Sequence, residues 1–135
     1  VATCPELDYT SRRFKSKATG AAYGYGYNLH LSPPLAPATL RISQIAQQSK
    51  VALFADAAQV NTFQAPASPD NPLLEEFYYV NTTEPTTHFR HGAKANVVFL
   101  DGHVELLVPA DGTLDQRLPG EMIGRLSAER LKPVK

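Results

Sequence analysis

Apolar and polar positions alternate most clearly from Ala95 to Val108, in the stretch ANVVFLDGHVELLV. Two apolar runs meet there at Asp101-Gly102. Asp-Gly between alternating hydrophobics predicts a β-hairpin with a type I′ turn, because both central residues of that turn need positive φ. That turn would set Leu100 opposite His103, Phe99 opposite Val104, Val98 opposite Glu105 and Val97 opposite Leu106. Side chains alternate between the faces of a strand, so Ala95, Val97, Phe99, Val104, Leu106 and Val108 would share one apolar face. Asn96, Val98, Leu100, His103, Glu105 and Leu107 would share the other, mixed one. A slip of one residue would destroy this segregation.

The same periodicity places further elements. Tyr23, Tyr25 and Tyr27 alternate with Gly24 and Gly26, which predicts a strand over 23–28 with its tyrosines on one face. The glycines would let another strand or a helix approach closely. Asn28 suits a turn or an anchoring side-chain hydrogen bond. Lys50 to Ala55 is a continuous apolar run ending at Asp56, the pattern of an inner strand covered on both faces. Glu76 to Asn81 reads as another strand. Thr39 is placed to cap a short helix or turn running to Gln48. Residues 57–75 are rich in Ala, Pro, Asn and Asp, and a loop of that length is usually functional or mobile. Met122, Ile123, Leu126 and Leu131 fall near helical spacing after Pro119-Gly120, which predicts a C-terminal helix ended by Pro133. The fold class expected is α+β, with a mostly antiparallel sheet, and 1–135 forms a single domain.

Composition narrows the chemistry. The chain has 135 residues, of which 43% are hydrophobic and 19% charged, and its formal net charge is zero. No basic excess is available to follow a phosphate backbone, so nucleic acid is not the expected partner. No apolar run approaches the roughly 18 residues of a membrane span. Ser11 to Lys17 is a short basic run, read as a solvated loop. Cys4 is the single cysteine, which rules out an internal disulfide.

Four residues suggest metal chemistry. His88, His91, Asp101 and His103 offer imidazole nitrogens and a carboxylate, the donors a zinc-dependent hydrolase would use. The competing role for His91 is a polar latch, its ring bonded to a backbone carbonyl or to a carboxylate such as Asp101 or Asp56. Asp56, Asp101 and Asp111 with loop carbonyls form an oxygen set of the type calcium takes, although no acidic alternation ending in Glu accompanies them. No nucleophile elbow or phosphate-cradling glycine loop is present.

His91 is followed by nine residues and then Asp101-Gly102, with His103-Val104 after it. Cys4-Pro5, the YGYGYN run of 23–28 and the ALFAD run of 52–56 precede it in that order. Together these pieces resemble the H-X9-DG proteins, a family of prepilin-type, pseudopilin-like envelope proteins. The resemblance spans most of positions 4 to 108. It implies a pilin-like head and makes His91, Asp101, Gly102 and His103 a structural motif. Members of that family begin with a basic leader, a processing site and a long apolar helix. None of these occurs in the sequence, so the chain is expected to be the C-terminal globular portion of a longer, membrane-anchored product. Calcium, carried in a loop by related major pseudopilins, is the one cofactor this leaves open. The function implied is a non-catalytic structural subunit of a type II secretion or type IV pilus-like apparatus. It would sit on the periplasmic or extracellular side of a bacterial envelope, with other pilin-like subunits as partners. Two alternatives stand beside it. One is a glycan- or cargo-binding module using Tyr23, Tyr25, Tyr27, Asn28 and the 57–75 loop. The other is the metal-dependent hydrolase.

Overall fold

The computed structural model describes residues 4–8, 10–15 and 24–133. The described chain is mostly sheet. Its strands are β1 (Phe14–Lys15), β2 (Tyr25–Asn28), β3 (Ala52–Asp56), β4 (Ala58–Asn61), β5 (Leu73–Glu76), β6 (Tyr79–Val80), β7 (Thr87–His88), β8 (Ala95–Phe99), β9 (Val104–Leu107) and β10 (Ile123–Gly124). They form a five-stranded sheet in the order β6-β2-β3-β8-β9, a three-stranded sheet β1-β5-β4 and the pair β10-β7. Pairing is antiparallel except for β2 with β6 and β1 with β5. Helical structure among the described residues consists of short 3-10 turns, and none is long and apolar enough to cross a membrane.

The inner strand expected at 50–55 is β3, flanked by β2 and β8. Its inner face is covered, and its outer face only at Asp56. Ala52 and Ala55 are buried, while Phe54 is 41% exposed. At Ala57, which bridges to Thr87, the chain leaves the large sheet and continues as β4 of the small one. The expected loop over 57–75 is therefore corrected. It holds β4 and the start of β5, which pair antiparallel in register from Ala58–Glu76 to Asn61–Leu73. Val60, Leu73 and Leu74 supply buried apolar side chains there, beside buried Asn61, Glu75 and Glu76. Of the strand expected over 76–81, Glu76 ends β5 and Tyr79–Val80 form β6.

Gly26 behaves as its lack of a side chain predicts. A Cβ on it would stand 2.8 Å from Ala57 Cβ and 3.0 Å from the Tyr79 backbone. Tyr25 and Tyr27 share the opposite face, as expected, and Tyr27 packs edge-on against Phe54 with ring centroids 5.9 Å apart. Tyr23 lies outside the described residues. Asn28 is corrected from a binding-face residue to a core one. It is fully buried, its amide donates to the Ala52 and Leu131 carbonyls at 2.8 Å, and its side-chain oxygen accepts from His30 N.

The central hairpin forms, but one residue out of the expected register. Val98 pairs with Val104, Val97 with Glu105, Asn96 with Leu106 and Ala95 with Leu107. Phe99 N donates to His103 O and Gly102 N to Phe99 O, both at 2.9 Å. The turn is therefore a three-residue Leu100-Asp101-Gly102 loop in which Gly102 alone takes positive φ, at 91°. This arrangement spares Asp101 the left-handed region, which costs an L-residue about 1–2 kcal/mol. Asp101 Oδ1 instead accepts from His103 N at 3.1 Å. Leu100 N is held by Val51 O at 2.9 Å.

The slip turns β9 over. Ala95, Val97 and Phe99 are fully buried as expected, whereas Val104, Leu106 and Val108 are more than half exposed. Leu107 packs inward instead.

The inner face of the large sheet buries Ala52, Ala55, Val80, Val97 and Phe99 against Phe77, Phe89, Leu126 and Leu131. The C-terminal segment thus helps cover that face, as expected, but without an α-helix. It consists of a 3-10 turn at Pro119–Glu121, then β10, then a 3-10 turn at Ala128–Arg130. Of the helix or turn expected over 39–48, the turn forms, as a 3-10 turn at Ile42–Gln44 with Ile45 buried beyond it.

Candidate functional site

A connected polar cluster is built around Asp56, the last residue of β3. By strand alternation its side chain leaves the sheet on the same side as Phe54, yet it is fully buried. Its cover comes from two distant segments. Cys4, from the N-terminal segment, is 2% exposed. Arg90 and His91 come from the link between β7 and β8. Asp56 Oδ1 accepts from Arg90 NH2 at 3.1 Å. Oδ2 accepts from Asn96 N at 2.7 Å and lies 3.2 Å from His91 Nε2. Cys4 Sγ lies 3.7 Å from the same nitrogen. Tyr25 is the cross-strand partner of Asp56. Its phenol is held above its ordinary pKa, first by burial and then by the Cys4 sulfur beside it.

The backbone explains why His91 reaches this point. Gly92 and Ala93 follow it with φ of 64° and 63°, and His91 N donates to Lys94 O at 2.9 Å. A tight reversal of this kind aims the imidazole back over β3. Arg90 is anchored as firmly. Its guanidinium donates to the Gly24 carbonyl, to Ala57 O at 3.4 Å and to His88 Nδ1 at 2.9 Å. His88 accepts that bond as a neutral ring. Burial, then the Arg90 charge, pushes its pKa down to about 3. A carboxylate, a guanidinium and two imidazoles thus knit β2, β3, β7 and β8 together at one end of the sheet.

The four residues suggested for a hydrolase do not meet. His88 serves Arg90, and His91 serves Asp56. Asp101 and His103 pair with each other on the exposed hairpin tip, Nδ1 facing Asp101 Oδ1, while His103 Nε2 faces Glu105 Oε2 at 2.8 Å. These two carboxylates raise the pKa of His103, Glu105 first, and the His103 ring and backbone lower that of Asp101. His103 also stacks on Phe99, with centroids 4.5 Å apart. The calcium set is separated too, because Asp56 is in the buried cluster, Asp101 at the tip and Asp111 in the turn after Val108. Among the described residues, one group of three donors could hold a metal ion: Cys4, Asp56 and His91.

Of the two latch partners considered for His91, the structure brings Asp56 and not Asp101. Sequence reasoning missed Arg90, whose role depends on contacts across 34 and 66 residues of chain. Nor does a single cysteine in the sequence indicate which residues surround it. Only the order of Cys4-Pro5, the ALFAD run and His91 hinted that these residues belong together. No family model, curated protein or solved structure matches this chain.

Proposed function

We propose that the chain is the globular head of a non-catalytic structural subunit, resembling a pseudopilin, in a type II secretion or type IV pilus-like apparatus of a bacterial envelope. One observation carries this reading. On the outer face of the five-stranded sheet, Tyr27 pairs with Phe54, Phe54 with Val98, and Val98 with Val104. This apolar row crosses four strands, and Leu106 and Val108 extend it along the edge strand. Exposed apolar area this continuous marks an interaction surface on a soluble domain. A flat sheet face suits a long apolar helix, such as the N-terminal helix of a pilin-like parent or of a neighbouring subunit.

In this reading the Asp56 cluster is architecture. It locks the end of the sheet so that the row is presented rigidly, and His91 and the Asp101-Gly102 turn of the signature brace the two ends of β8. The parent would be processed by a prepilin peptidase, anchored in the inner membrane, and then assembled with other pilin-like subunits.

The test replaces Leu106 with a photo-crosslinking residue in the full-length parent, expressed in its own cells. Crosslinks to a pilin-like subunit's apolar helix, or to the parent's own, are expected. A parent recovered without such crosslinks, or crosslinked only to soluble cargo, would contradict the assignment.

A further inference from the structure

Three donors of different kinds converge beside the fully buried end of β3. Cys4 Sγ is 3.7 Å from His91 Nε2, Asp56 Oδ2 is 3.2 Å from the same atom, and all three lie within 4.8 Å of one another. The shared nitrogen discriminates between chemistries. In a nucleophilic relay the carboxylate orients one imidazole nitrogen while the thiol meets the other. Here both point at Nε2, and Cys4 is buried away from any substrate. If the proton sits on Nδ1, the Nε2 lone pair faces the carboxylate oxygen. If it sits on Nε2, one proton is shared between an oxygen and a sulfur.

A cation between the three donors could be ligated by all of them. Zinc bonds of about 2.3 Å to sulfur and 2.0–2.2 Å to nitrogen and oxygen, at tetrahedral angles, put donors roughly 3.3–3.6 Å apart. The observed 3.7 and 3.2 Å bracket that range. Asp56 has the support a ligating carboxylate needs, since Arg90 holds its other oxygen and Asn96 N fixes Oδ2.

We propose that Cys4, Asp56 and His91 form a structural site for a divalent transition-metal ion, with zinc as the best match to a sulfur, nitrogen and oxygen donor set. On binding, the thiol proton leaves to solvent and the imidazole keeps its proton on Nδ1. Thiolate and carboxylate bring two negative charges to the ion, and the Arg90 guanidinium paired with Asp56 leaves one positive charge in excess. The Tyr25 hydroxyl or a water would complete the tetrahedron. The ion would tie the N-terminal segment to β3 and to the β7–β8 link. This proposal stands apart from the pilin-like reading, because a domain of any function could carry such a site.

The test uses the whole chain, purified without a histidine tag, stripped with chelator and titrated with zinc and with cobalt(II). One equivalent is expected, with a thiolate-to-cobalt charge-transfer band and the visible bands of tetrahedral cobalt. Cys4→Ser should remove the charge-transfer band. His91→Gln should weaken zinc binding at least roughly tenfold, as loss of even an outer-sphere partner does, while His103→Gln should leave it unchanged. A wild-type cobalt spectrum without sulfur charge transfer overturns the proposal, and this result needs no variant to fold. An equal loss of affinity in His103→Gln would also overturn it, because the ion would then sit at the hairpin tip.

Discussion

Asp56 shows how one residue can organise a site that its own sequence neighbourhood does not reveal. It ends an apolar run, where a carboxylate reads as the start of a loop. Instead it is buried with Arg90, whose side chain is only 4% exposed. A buried charge is tolerated when paired, and breaking such a pair costs about 3–5 kcal/mol. A double-mutant cycle in chelator-treated buffer measures the latch itself. Asp56→Asn and His91→Gln should couple by about 1 kcal/mol or more, within the range for residues in one network. Asp101→Asn and His91→Gln should be additive. Coupling to Asp101 and not to Asp56 would move the latch to the hairpin tip. His91 was legible as a latch because a histidine at fixed distance from a turn needs a partner. The choice of Asp56 over Asp101 was not, since it follows from the Gly92-Ala93 reversal, and Ala93 carries no sequence mark of positive φ. The anchoring hydrogen bond expected of Asn28 forms, to the Ala52 and Leu131 carbonyls, but its assignment to the binding face fails for a related reason. Its place after the tyrosines suggested the surface, but it is the last residue of β2, one position past Tyr27 and therefore on the opposite, buried face.

At the level of elements, period-two alternation located β2, β8 and β9, because these strands each have a distinct covered face, while β3 was marked by its continuous apolar run. The hairpin register failed by one residue for a physical reason. Asp-Gly is compatible both with a two-residue turn and with a three-residue loop that ends on the glycine, and only the second spares Asp101 a positive φ. The C-terminal helix failed differently. Ile123, Leu126 and Leu131 are buried as helical spacing requires, but Ile123 and Gly124 pair with β7. A Cβ at Gly124 would come within 3.3 Å of Thr113 and Leu114. Burial was readable there, and backbone conformation was not. Gly26 offers the sharpest test at this scale. The atoms a Cβ would meet include the Tyr79 backbone, which cannot rotate away. Gly26→Ala should therefore destabilise the chain by about 1–3 kcal/mol, as overpacking does. Gly120→Ala, which meets nothing within 4 Å, should stay within about 0.5 kcal/mol. Urea unfolding of both variants checks the contrast, and equal effects would refute the close approach of β2 to Tyr79.

For the whole molecule, the consequence of the register slip is a sheet with one finished face and one open one. The C-terminal segment helps seal the inner face, with Leu126 and Leu131 in the main core. The outer face keeps Phe54 at 41%, Val104 at 57% and Leu106 at 52% exposure. The expected segregation would have placed Val104 and Leu106 inside, so the open row could not be read from the alternation alone. An interface across this face is the claim that joins the fold to the proposed function. Sedimentation equilibrium of the chain, beside a Phe54→Lys and Val104→Lys double variant, tests it most directly. Concentration-dependent self-association of the chain is expected, abolished in the variant with little change in unfolding free energy. A chain that stays monomeric at every concentration, or a variant that unfolds because these side chains belong to the core, would contradict that claim.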